Sequence, residues 1–82
     1  MTYFDKFSSS GDDAIKTAAD LLEDATSKFK AGQLSDAEYK ELCGDILDFE
    51  RVSANIADMN RIQQVYDAFQ QLTTIVSTIT SL

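Results

Sequence analysis

The chain contains no histidine, no proline and no tryptophan, and among its 82 residues only one cysteine and three glycines. Each absence excludes something. Without histidine there is no imidazole base to activate a serine or cysteine, and the commonest metal ligand is missing. A lone thiol among scattered carboxylates is not a zinc site. With Cys43 alone, no internal disulfide can form; on the helix beside Leu42 it reads as a small buried hydrophobe. Gly11, Gly32 and Gly44 lie too far apart for a phosphate-cradling loop. The carboxylate pairs Glu23/Asp24 and Asp45/Asp48 read as solvated helix faces rather than acid–base dyads. The expectation is a protein with no catalytic residue, no metal and no cofactor.

Basic side chains are also scarce. Seven lysines and arginines stand against fourteen acids, a net charge of −7. Phosphate binding needs a basic face, so nucleic acid is excluded as a ligand. The acid excess serves solubility, or, in a sharper reading, docks on a basic protein surface. No run of about eighteen apolar residues occurs, so no transmembrane segment is expected. The nearest approach, Ile62–Leu82, holds one charge, Asp67, but also Gln63, Gln64, Gln70, Gln71 and a series of threonines and serines. That is too polar for lipid. The opening MTYFDKFSSSGDD has neither a basic start nor an apolar stretch of signal-peptide length. A cytoplasmic protein, or one incorporated in a particle assembled there, is expected.

What remains is helix-forming sequence with apolar residues at helical spacing. A chain this short buries about 60% of its unfolded surface. Scaffolds of this size usually add disulfides, a metal or oligomerisation. With the first two gone, the pattern predicts an all-α protein: an antiparallel helical hairpin followed by a long or kinked C-terminal helix, assembled as an oligomeric bundle. Residues 1–10 read as a flexible aromatic arm before the Ser8–Gly11 linker. Tyr3, Phe4 and Phe7 either fold back on the helices or anchor the arm on a neighbouring subunit. Residues 11–82 form one domain, with helices over about 12–31, 36–57 and 60–80.

Ser10, Asp12 or Asp13 can cap the first helix. Its apolar positions Ile15, Ala18, Leu22, Ala25 and Phe29 follow a heptad. Lys28 and Lys30 suit its last turn, and Gly32 sits where a C-terminal cap belongs. Ser35 followed by Glu38 is a capping box, with Leu34 and Tyr39 as its hydrophobic staple. The short connection between these two amphipathic segments predicts the hairpin.

Beyond it, Ile46, Phe49 and Val52 recur ten residues on as Ile56, Met59 and Ile62, then as Tyr66, Phe69 and Leu72, then as Val76, Ile79 and Leu82. Ten residues over three turns is about 3.3 per turn, so the stripe drifts around a straight helix. Either the helix wraps tightly around partners or it breaks, and Asn55, Asp58 and Asn60 favour a break near 57–60. Charge nearly vanishes after Arg61. Spacing argues for helix there, while the β-branched residues of Thr73–Thr80 argue for a frayed or extended tail. The stripe Ile62, Tyr66, Phe69, Leu72, Val76 and Ile79 is the expected seam between subunits or with a partner.

The stretch KFKAGQLSDAEYKELCGDIL, Lys28 to Leu47, resembles the short helical-hairpin modules of the SHOCT kind. The matching residues are Ala31, Gly32, Leu34, Ser35, Glu38 and Tyr39. The resemblance implies a role in oligomerisation. The chain departs from those modules by continuing through Asp48–Leu82. A small acidic chain with an aromatic arm and a low-charge helical tail is also similar in style to phage virion-assembly proteins. The functional expectation is therefore a non-enzymatic structural or assembly protein, a helical homo-oligomer or companion of other structural proteins, as a component or assembly factor of a phage particle. The alternative is an acidic inhibitor, a DNA mimic or counter-defence protein that covers a basic host protein surface. A membrane-active helix is a more distant reading.

Overall fold

The computed structural model describes residues 3–81, and among these every regular element is helical. Leu82, the last member of the apolar stripe, lies outside the described residues. The elements are α1 (Asp5–Ser8), α2 (Asp13–Lys30), α3 (Asp36–Ile46), α4 (Phe49–Ser53) and α5 (Met59–Ser81). α2 is the hub: α1, α3 and α5 all pack on it, and α4 packs on α5.

The aromatic segment is packed instead of forming a flexible arm. Phe4 and Phe7, three residues apart on one turn, are both buried. Burying two such side chains is worth about 1.5–3 kcal/mol each, enough to hold a single turn that has little intrinsic stability. Tyr3 stays half-exposed, and Lys30 Nζ donates to its hydroxyl at 2.9 Å while lying 4.2 Å from the ring centre.

α2 starts at the Asp12 cap, whose Oδ1 accepts from the Ala14 and Ile15 amides at 2.9 and 3.4 Å. It ends in a Schellman turn. The amide of Gln33 donates to the Lys28 carbonyl at 2.9 Å and that of Gly32 to the Phe29 carbonyl at 3.1 Å, with Gly32 at φ +79°. Two residues later the capping box closes: the Glu38 amide donates to Ser35 Oγ at 3.1 Å, and the Ser35 amide to Glu38 Oε1 at 3.0 Å. Tyr39 then stacks on Phe29 with ring centres 4.5 Å apart.

The helix expected over 36–57 is instead two. α3 stops at Ile46, and Asp48 Oδ1 accepts the Arg51 amide at 3.2 Å to start α4. A short polar side chain that can cap is a standing alternative to continued helix. The turn re-aims Phe49 at α5, where its ring meets Tyr66 and Phe69 edge-on at 5.3 and 6.2 Å. The chain leaves helix again over 54–58. Asp58 Oδ1 accepts the Asn60 amide at 2.9 Å as α5 begins. Two breaks thus absorb the phase drift of the ten-residue pattern.

Within α5 the steps Ile62, Val65, Phe69, Leu72, Val76 and Ile79 alternate three and four, and all but the half-buried Ile62 are buried. The threonine-rich tail is helical, with Thr73, Thr74 and Thr78 hydroxyls donating to carbonyls four residues back at 2.8–3.1 Å.

Candidate functional site

Among the described residues, no group of three or more cysteine, aspartate or glutamate side chains gathers where it could hold a metal ion. Cys43 is buried, and burial pushes its thiol up, away from the reactive thiolate. Glu38 is held below its ordinary value by the Ser35 amide and hydroxyl, as a capping residue. Asp12 is lowered chiefly by the Arg61 guanidinium, which donates through Nε to Oδ2 at 2.7 Å and through Nη2 to Oδ1 at 3.2 Å. This fork joins the start of α2 to the start of α5, 49 positions apart in sequence. No local pattern announces such a pair. The perturbed carboxylates therefore serve caps and a tie between helices.

The expected seam residues lie in two environments. Phe69, Leu72, Val76 and Ile79 are buried within the chain itself, and Ile62 is half-buried. Tyr66 is 44% exposed, and Val65 occupies the inward position beside it. The arm residues divide likewise, Phe4 and Phe7 inside and Tyr3 outside. Gly32, Ser35 and Glu38 come together at the α2–α3 turn as structural caps. Among the described residues of α5, the large apolar side chains left exposed are Met59 and Tyr66.

The surface offers two other features. The first is uncompensated acid on α3. On α2, Asp20 and Asp24 each pair with a lysine one turn away, Lys16 and Lys28, at 3.1 and 3.2 Å. α3 carries Asp36, Glu38, Glu41 and Asp45 against Lys40 alone, and its last turn has no base. Glu41 and Asp45 are exposed, and among the described residues neither forms an ion pair.

The second feature is an open groove of about 380 Å3 where α2, the end of α3 and α4 meet. Ala14, Ala18, Leu21, Ile46 and Val52 give it apolar walls, and Asp13, Asp45 and Arg51 stand at its edges. Leu21 is 50% exposed. Leu21 lies off the Ile15, Ala18, Leu22, Ala25 and Phe29 heptad of α2, and the spacing gave no sign that it would line a groove.

No protein-family model matches the chain, and no curated protein or solved structure is significantly similar to it. The likeness of Lys28–Leu47 to SHOCT modules thus rests on those local residues. No helix among the described residues is long and apolar enough to cross a membrane.

Proposed function

We propose that this chain is a non-enzymatic protein-binding module that presents an acidic helical surface to a basic surface of another protein. The observation that carries this reading is the fate of the C-terminal stripe. Phe69, Leu72, Val76 and Ile79 are spent on the chain's own core, so the chief physical reason for obligatory self-assembly is gone. Charge is then the strongest feature of the surface, −7 overall, with Glu41 and Asp45 of α3 exposed and outside any ion pair among the described residues. Such a surface steers a basic partner and fixes its register. Antiparallel packing of α2 and α3 would make the acidic face a rigid one. It is supported by Tyr39 at the start of α3 meeting Thr26 and Phe29 near the end of α2.

The assembly reading, including a place in a phage particle, keeps one supporting observation. Met59 is 77% exposed and Tyr66 stands half-open on the same face of α5, a modest apolar patch that a like or unlike subunit could cover. One experiment separates the two. Immobilised polylysine should retain the chain with an affinity that falls steeply from low to moderate salt. The double variant Glu41→Gln/Asp45→Asn should lose more of it than Asp20→Asn/Asp24→Asn, which changes net charge equally. Equal losses would make the binding a bulk-charge effect. A fixed oligomer in sedimentation would restore the assembly reading.

A further inference from the structure

The groove beside α3 has walls and spacing of a particular kind. At 1.5 Å per residue, α2 is about 27 Å long and α3 about 17 Å. On the side that α3 covers, α3 is therefore too short to run the whole length of α2, while α5 packs on α2 elsewhere. Asp45 and Ile46, at the end of α3, line the groove together with residues of the Asp13–Leu21 stretch of α2, and the short α4 adds Arg51 and Val52. Ala14, Ala18 and Leu21 recur at four- and three-residue steps along one face of α2, about 10 Å in all. That is two turns of helix, the reach of the spaced anchors by which an amphipathic helix occupies a groove. The small side chains of Ala14 and Ala18 permit close approach, and Leu21 stands at the end as an exposed wall.

The edges carry the chemistry of the occupant. Asp13 and Asp45 are exposed carboxylates. The Arg51 guanidinium at the same edge donates through Nη2 to the main-chain oxygen of Asp45 at 2.8 Å, so part of its hydrogen-bonding capacity is already used. Glu41 lies one turn before Asp45 on the acidic exposed face of α3. A second copy of this chain would bring acid against acid, and like charges at close range oppose association.

We propose that this groove is the docking site for a cationic amphipathic helix of a partner protein, its apolar anchors against Leu21, Ile46 and Val52 and its lysines or arginines facing Asp13, Asp45 and Glu41. The assignment rests on the acidic-module reading above and adds the place and the secondary structure of the partner. The probe is a synthetic two-face helix of leucine and lysine, compared with a scramble of the same composition and with a leucine–glutamate version. The full chain should bind the leucine–lysine helix at least about tenfold more tightly than the scramble, and should ignore the glutamate peptide. Leu21→Lys should lose about tenfold, whereas Met59→Lys, with the same charge change on a different exposed face, should bind as wild type. Amide shifts in wild type should move at Ala14, Thr17, Leu21, Ile46 and Val52, which keeps the test independent of any variant's fold. Equal binding of the scramble, equal loss in Met59→Lys, or shifts centred on Met59–Tyr66 would overturn the docking site. If polylysine still discriminates the α3 acids in that case, the acidic-module reading survives without the groove.

Discussion

Tyr39 has no contact with solvent, yet its hydroxyl lies 2.6 Å from Thr26 Oγ1, itself buried on α2. The pair lets a polar atom sit in the core of a small protein, because each hydroxyl satisfies the other. Removing one partner strands the other, which costs about 1–3 kcal/mol, whereas removing both together costs much less. Thr26→Val and Tyr39→Phe should therefore each destabilise the protein, and the double variant should cost clearly less than the sum, read from urea unfolding at neutral pH. The same site sets an alkaline limit. Burial pushes the Tyr39 phenol up to about 12, with Thr26 opposing that shift in part. In the unfolded chain the phenol ionises near its ordinary value of 10.0, so above that pH the unfolded state binds fewer protons than the native state. The sign follows: this stability is fully present below pH 10 and is lost as pH rises toward 12, by about 2–3 kcal/mol. Unfolding measured against alkaline pH should show that slope in wild type and lose most of it in Tyr39→Phe.

Two glycines of the helical region call for opposite responses to alanine, and the difference lies in their elements. Gly32 holds φ +79° in the turn that ends α2, a left-handed position where a Cβ is strained although the space around it is open. Gly44 sits inside α3 at ordinary helical φ, and an added Cβ meets nothing within 4 Å. Gly32→Ala should cost about 1–2 kcal/mol, and Gly44→Ala should gain about 0.5–1 kcal/mol, both from thermal or urea unfolding. The α2–α3 turn was legible because its signals are local: Gly32, Ser35 and Glu38 act within three residues of where they stand. Helical character was legible throughout for the same reason. The end of α3 was harder to read. Asp48 can cap a helix or sit exposed inside one, and what tips it is Phe49 meeting Tyr66 and Phe69, a contact across the fold. The inward register of α5 was ambiguous between Val65 and Tyr66 because both are apolar neighbours. In the folded chain Val65 is fully buried, while Tyr66 is half-exposed and meets Phe49 edge-on. Phe4 and Phe7 stand just ahead of a serine linker, so local composition suggested an arm while burial against α2 decided otherwise.

At the scale of the whole molecule, the question is whether the C-terminal helix belongs to one chain or holds several together. The chain closes on itself: α1, α3 and α5 all pack on α2, within extents of 39 × 25 × 17 Å. Leu72 and Val65 are fully buried in that arrangement, and so is Leu22 across from them in the core. A domain of this size has about 4–12 kcal/mol of total stability. Truncating one buried leucine removes about 2–5 kcal/mol of it, and a buried carboxylate with no partner costs more still. If α5 were a seam between chains, Leu72→Asp would yield smaller particles that keep their helices. With α5 as an integral wall of the core, the same variant should lose helicity and cooperative melting, with no change of mass class before it unfolds. Met59→Asp, on a side chain 77% exposed, should leave both melting and mass near wild type. Circular dichroism and sedimentation on the same samples decide it: a well-folded Leu72→Asp of lower mass than wild type would return α5 to the subunit interface and would require the groove beside α3 to be reconsidered as part of that interface.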